Sequence, residues 1–228
     1  MNKGQSVRQM FDAIASRYDL MNRVMTMGQD QQWRRFVVAK AGDPGEGWFL
    51  DLATGTGDMA FLACHSSPGK GVIGADFSGN MLQAAQKRFA GEPIHWQSCD
   101  ANQLPYRDQA FGAVTFGYLL RNVEDVSRVL AEVHRTLRPG GRVVCLDTTP
   151  PVRNLLYPFI YLYLRYFIPV LGRLIAGDQA AYGYLSGSTM EFYPAAELAE
   201  KFQQAGFCRV GYQKFMLGNI AIHWGEKR

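Results

Sequence analysis

A parallel α/β sheet with helices on both faces is the fold this sequence predicts, and three observations predict it. Apolar strand-length runs alternate with helical patterns from about residue 48 onward, as in parallel strands joined by crossover helices. The first run, Trp48, Phe49 and Leu50, leads into Asp51 and then into Gly55 and Gly57, before a helix-compatible segment begins. The second run, Val72 and Ile73, ends in Asp76, 19 residues beyond Gly57.

The elements follow in order. Val7, Met10, Phe11, Ile14 and Tyr18 keep the i, i+3, i+4, i+7, i+11 spacing of an amphipathic helix. A second helix is expected near 31–41. Strand 48–53, helix 57–66, strand 71–76, helix 79–90 and strand 94–99 then alternate. A strand over 111–117 precedes a helix from Val123 to Leu137, with Val126, Val129, Leu130 and Val133 on one face. Arg138-Pro139-Gly140-Gly141 reads as its end, and strand 142–147 follows. Helix 194–205 and two strands, 208–215 and 219–225, complete a seven-stranded, doubly wound sheet. The last two strands are separated by a short turn and so form an antiparallel hairpin. Ligands of such sheets bind at the carboxyl ends of the strands.

The 228 residues and 47% apolar content fit one domain with a substantial core and exclude disorder. Cys64, Cys99, Cys145 and Cys208 are far apart and lack C-x-x-C spacing, which indicates neither a zinc site nor a disulfide framework. No metal is expected, and with no secretory pattern over residues 1–30 the expected location is cytoplasmic. Residues 1–40 hold seven basic and three acidic side chains, while the remainder is balanced. This asymmetry suits either solvated helix faces or contact with an anionic membrane surface. It does not suit nucleic acid, because the basic residues form no dense cluster.

Segment 151–193 stands apart. Leu155 to Leu164 and Tyr166 to Ile168 are almost wholly apolar and aromatic, yet the charge-free stretch 154–164 is too short to span a bilayer. Pro158 and Pro169 predict two short helices. They read as a buried hairpin covering the sheet and as an aromatic lid over an apolar substrate that also touches lipid.

Two cofactor classes compete for the glycine turn. Gly55-Thr56-Gly57-Asp58-Met59-Ala60 fits the loose dinucleotide pattern, but Asp58 would set a negative charge beside a pyrophosphate. S-adenosylmethionine carries no phosphate. Its ammonium suits an acid at the strand end, Asp51, and its ribose suits Asp76. The residues therefore favour S-adenosylmethionine.

Beyond these patterns, YDLMNRVMTMGQDQQW (Tyr18 to Trp33), DLATGTGD (Asp51 to Asp58), LLRNVED (Leu119 to Asp125), RTLRPGGRVVCLDTT (Arg135 to Thr149) and GNIAIHWGEK (Gly218 to Lys227) resemble the ubiquinone/menaquinone biosynthesis C-methyltransferases. The similarity covers nearly the whole chain. It implies the Rossmann-like fold of class I S-adenosylmethionine-dependent methyltransferases in a single domain, 1–228. Residues 1–45 would be an N-terminal helical cap and 151–193 an inserted substrate lid. It implies methylation of a ring carbon on a polyprenylated quinol, demethylmenaquinol or a ubiquinol precursor. The family's usual Ser, His and Gly are replaced here by Thr26, Asp30 and Leu119, and its Glu-x-Ser by Asp147-Thr148-Thr149. Asp30 and Leu119 bear on the shape of the substrate pocket.

Carried over by position, the resemblance sets Thr56 and the two glycines along the methionine moiety, Asp76 on the ribose, Asp100 and Ala101 at the adenine, and Gly117 beside the sulfonium. Arg121, just past the fourth strand, is the candidate cation for a developing phenolate, and Asn122 the candidate holder of a water. Asn122 equally reads as a helix cap with Asp125 three residues on. Tyr18 opens the family's first motif and is a candidate catalytic residue or a core member of its helix. His223 is a weaker candidate base on an expected edge strand. Two other readings stay open: methylation of another lipid-like acceptor, and a non-catalytic scaffold of a quinone-synthesis assembly. A homodimer also stays open.

Overall fold

The computed structural model describes residues 3–151, 155, 157–172 and 179–228. Three helices lead: α1 (Lys3–Ile14), α2 (Tyr18–Met25) and α3 (Asp30–Ala41). The alternating body follows as β1 (Trp48–Leu52), α4 (Asp58–Ser66), β2 (Val72–Asp76), α5 (Gly79–Arg88), β3 (Ile94–Ser98), β4 (Phe111–Gly117), α6 (Val126–Thr136) and β5 (Leu137–Thr148). Next come α7 (Tyr157–Leu162), α8 (Ile168–Leu171), α9 (Gln179–Glu191) and α10 (Ala195–Gln204), then β6 (Cys208–Phe215) and β7 (Ile220–Glu226). The seven strands lie in the order β3-β2-β1-β4-β5-β7-β6. The first five run parallel, and β7 runs antiparallel between β5 and β6. The order reverses between β1 and β4, so the crevice for a ligand opens at their carboxyl ends.

Both sheet faces are covered, and successive strand residues feed opposite cores. Leu50, Leu52, Val114, Phe116, Val143 and Cys145 pack with Val129, Leu130 and Val133 of α6 and Phe202 of α10. Phe49, Ala113, Val144 and Leu146 pack on the other face with Trp33, Val37, Ala60 and Ala63. Burial on both faces is why these strands read as continuous apolar runs.

Four expectations need correction. The sequence Arg138-Pro139-Gly140-Gly141 lies within β5 and does not end a helix. Gly140 N–H donates to Lys227 O at 2.8 Å and Lys227 N–H to Gly141 O at 2.9 Å, so a distant strand captures this backbone. Helix α6 is capped by Asp125, whose side chain accepts from Arg128 N–H, and not by Asn122. His223 sits on an inner strand, because β7 is flanked by β5 and β6.

The fourth concerns the lid. Residues 157–172 form a helical run with a π-helical stretch, Tyr163–Phe167, between α7 and α8. Pro169 cannot donate to the carbonyl four residues back, and the widened turn just before it absorbs that loss. The segment packs chiefly on the N-terminal helices, where Ile160, Ile168, Tyr182 and Leu185 join Ile14 and Met21 in a third core, and Thr189 Oγ1 reaches the end of β5 by donating to Thr148 Oγ1 (3.0 Å). Arg153 and Arg173 lie outside the described residues. Arg165 is exposed.

Candidate active site

The turn after β1 is built around Asp51. Its carboxylate is fully buried and accepts from Thr54 Oγ1 (2.6 Å), Thr115 Oγ1 (2.9 Å) and Ala60 N–H (3.0 Å). Burial pushes its pKa up to about 7, against the lowering effect of those three donors. Asp51 thus clamps the turn onto α4 and β4. Gly55 has φ 57 and Gly57 has φ 89, both left-handed. At Gly57 a Cβ would also lie 2.7 Å from the Trp96 ring, so this glycine serves packing as well as the turn.

A cavity of about 500 Å³ opens in front of this turn, at the crevice between β1 and β4. Gly55, Asp76, Asp100, Ala101, Gly117, Tyr18 and Asn122 line it. Asp51, Thr56 and Gly57 do not. Residues from α1, among them Arg8 and Phe11, close the top. Asp76 Oδ2 accepts from Gly55 N–H (2.8 Å) and Oδ1 from Ser78 N–H (2.8 Å). These bonds hold an ionic acceptor at the rim although burial raises its pKa. Asn122 donates through Nδ2 to Tyr118 O (2.7 Å), while its Oδ1 is buried without a partner. A fixed carboxylate, an orphaned amide oxygen and bare glycine backbone around one cavity suit a ligand with a ribose and an ammonium. S-adenosylmethionine fits this donor and acceptor set.

An ionic chain ties the cap to the turn. Thr56 Oγ1 donates to Asp19 Oδ1 (2.7 Å), Arg88 bridges Asp19 (3.0 Å) and Asp58 (2.8 Å), and Arg34 pairs with Asp58. Asp58 therefore faces two guanidinium groups, and its charge is spent on them and not on the cavity. Asp58 sets no free charge against a pyrophosphate, and Asp51, enclosed by Thr54, Thr115 and Ala60, is a structural clamp out of reach of a ligand ammonium, whereas Asp76 lines the cavity.

Arg121 lies away from the larger cavity, on a second, apolar one of about 80 Å³ lined by Met25, Tyr163, Ile168, Leu185, Met216 and Ile220 among others. Its Nη1 donates to Thr189 Oγ1 (2.9 Å) and Thr148 Oγ1 (3.2 Å), and its Nε lies 3.5 Å from Asp147 Oδ1. Asp147 is buried, which pushes its pKa up to about 6 against the opposing pull of Arg121. The guanidinium also lies 5.1 Å from the centre of the Tyr118 ring. Tyr18 and Tyr118 line both cavities. Burial raises the pKa of both phenols, against the pull of Arg34 and Arg121.

The tertiary structure adds residues that the motifs did not single out. Tyr118 has one local signal, its place directly after Gly117 at a strand end. Thr189 has none, since 68 residues separate it from Arg121. Of the family departures, Thr26 lines the smaller cavity and Leu119 the larger, and Asp30 lines neither. Asp30 instead bonds Thr26 (3.1 Å) and approaches Arg34 (3.7 Å). His223 donates through Nε2–H to Ala195 O at 2.8 Å, deep in the sheet, and burial lowers its pKa to about 4. Cys64, His65 and Glu92 bring possible ligand atoms within 4.8 Å of one another, and none of the three lines either cavity.

Residues 1–227 match the sequence model described as the ubiE/COQ5 methyltransferase family. The chain is 68% identical over 227 residues to the ubiquinone/menaquinone biosynthesis C-methyltransferase of Desulfotalea psychrophila, covering 100% of this chain and 92% of that protein. It is 40% identical to the demethylmenaquinone methyltransferase of Symbiobacterium thermophilum, covering 99% and 94%. Among solved structures, an SAM-dependent methyltransferase of Thermotoga maritima superposes with a TM-score of 0.66 at 17% identity, covering 97% and 100% of the two chains. Phosphoethanolamine N-methyltransferase 2 of Haemonchus contortus, in complex with S-adenosyl-L-methionine, superposes at 0.64 with 16% identity, covering 86% and 52%. These two likenesses speak for the fold alone.

Proposed function

This chain belongs to the ubiE/COQ5 methyltransferase family, and we propose that its larger cavity holds a methyl donor and that the ring of a prenylated quinol approaches it from the side of the smaller, apolar cavity. It is an S-adenosylmethionine-dependent C-methyltransferase of quinone biosynthesis. When bound, the donor supplies an electrophilic methyl group on a sulfonium whose carbon–sulfur electron pair returns to sulfur. Gly55, Asp76, Asp100, Ala101 and Gly117 would hold it.

One observation carries the acceptor reading: a buried guanidinium, Arg121, in an apolar cavity that meets the larger one at Tyr18 and Tyr118. A quinol ring carbon becomes strongly nucleophilic when the neighbouring hydroxyl loses its proton, and that hydroxyl starts with a pKa of about 10 by analogy with tyrosine. A permanent cation in low-dielectric surroundings lowers that value and stabilises the phenolate. Asp147, Thr148 and Thr189 fix the guanidinium in place, so little reorganisation is needed. Asn122 Oδ1, buried without a partner beside the larger cavity, would accept from a water there.

Contact with lipid belongs to the same reading. Among the described residues no helix is long and apolar enough to cross a membrane. Phe159, Leu162, Tyr166, Phe167 and Val170 are all at least half exposed, at helical spacing, opposite the buried Ile160 and Ile168. Such a stripe lies against a bilayer surface, where a polyprenylated acceptor resides.

The test is transfer of labelled methyl from S-adenosylmethionine to prenylated demethylnaphthoquinol and benzoquinol by the purified protein. Label in the quinol ring is expected. Label that stays in the donor, or goes only to amines, overturns the reading.

A further inference from the structure

Two residues, Tyr18 and Tyr118, line both cavities, where the two adjoin. They are held very differently. Tyr18 sits in ordinary helical backbone at the start of α2. Tyr118 has φ 56, a left-handed conformation that a bulky side chain adopts only at a cost. The surroundings enforce it. Its N–H donates to Leu146 O at 2.7 Å, and its carbonyl accepts from Asn122 Nδ2 at 2.7 Å. Both contacts come from groups at the mouth of the site, the carboxyl end of β5 and the loop after β4. The strained backbone turns the ring out of line with β4 and under the Arg121 guanidinium, 5.1 Å from its centre.

From this geometry we propose that Tyr118 is a specificity-determining residue, the wall that divides donor from acceptor and orients the acceptor ring at the aperture it forms with Tyr18. The proposal rests on the two-cavity reading above and adds a role that none of the motifs assigns. An aromatic face at this place does two things. It offers a flat stacking surface for a quinol ring arriving from the apolar side. It also keeps Arg121 aimed at that ring, through the cation–π contact. The ring, not the hydroxyl, supplies both.

The experiment uses the full chain and three variants. Tyr118→Gly and Tyr118→Asn remove the ring while tolerating left-handed backbone, so loss of the wall is separated from loss of the fold. Tyr118→Phe keeps the ring. Binding of a singly prenylated naphthoquinone is followed by intrinsic fluorescence without donor, donor binding by calorimetry, and kcat and KM with the corresponding hydroquinone. Removing the ring should weaken quinone binding and raise acceptor KM by about tenfold or more, with donor affinity within about twofold and the Phe variant close to wild type. Unchanged quinone affinity in both ring-less variants overturns the proposal. So does a Phe variant as impaired as the glycine one, or donor affinity falling as far as acceptor affinity. Wild-type protein that leaves the hydroquinone unmethylated overturns the two-cavity reading itself, and the proposal with it.

Discussion

Thr56 and Asp19 are joined by a 2.7 Å hydrogen bond that links the glycine turn after β1 to helix α2. Asp19 continues through Arg88 to Asp58, and Asp58 continues to Arg34. The N-terminal helices are thus fastened to the glycine turn at the residue next to Tyr18.

Asp19→Ala should loosen that fastening. Two charge-assisted bonds are lost from a partly exposed site, so the expected stability cost is about 1 kcal/mol. Donor affinity should fall by more than global stability suggests, because Tyr18 sits beside Asp19 and lines the cavity. Urea midpoints and a calorimetric donor titration on the same variant separate the two effects.

Arg121→Lys should lower turnover at least about 100-fold while donor affinity stays within about twofold. The ammonium keeps the charge, but it cannot reproduce a planar fork that meets Asp147, Thr148 and Thr189 together. Arg121→Ala is the harsher change, since it leaves Asp147 buried without its counter-charge, a cost of about 3–5 kcal/mol. A lysine variant at near wild-type rates would show that the planar fork is dispensable, and near wild-type rates in folded Arg121→Ala would remove the cation from the mechanism.

Asp76→Asn should weaken donor binding by about tenfold or more. The amide keeps the shape, but one of its ends can no longer accept from both Gly55 and Ser78 or from a ribose. Calorimetry reads this directly. An unchanged dissociation constant contradicts the ribose assignment.

The pH dependence of stability carries the mark of Asp51. Its folded pKa of about 7 stands above the unfolded value of ~3.9. The folded state therefore keeps a proton that the unfolded chain has released. That stabilisation is fully present below about pH 4 and is lost as pH rises through about 7. Asp147, raised to about 6 by burial, acts in the same direction. Urea unfolding of wild type should lose stability more steeply between about pH 4 and about 7 than Asp51→Asn, in which this proton is gone. Equal slopes would contradict the burial argument. His223, lowered to about 4, slopes the other way in both proteins and cancels in the comparison.

Much of the fold was legible because the strands are buried on both faces and the turns carry glycines at fixed offsets. Strand 111–117 and helix onset near 79 could be read from local pattern alone. The misreadings share one cause. Pro139 and Gly140 look like a helix stop by local chemistry, yet Lys227 captures the backbone of Gly140 and Gly141. His223 looks like an edge residue because it is near the chain end, yet the hairpin folds back so that β7 lies inside. Asn122 carries capping chemistry, and Asp125 does the capping.

The same division holds at the site. Asp76, Gly55 and Arg121 stand in motifs whose spacing follows from a strand, a turn and a helix, so sequence alone determined the fold class and singled out these three as the residues proposed for the donor and for the cation. Which carboxylates face the larger cavity and which are spent on arginines, where the lid rests, and how Tyr118 comes to stand between two cavities were decided by tertiary structure. Those outcomes depend on contacts between segments far apart in sequence, such as Arg121 with Thr189 and Thr56 with Asp19. A local pattern records what one segment prefers, whereas a hydrogen bond across the fold exists only once both segments are packed in place.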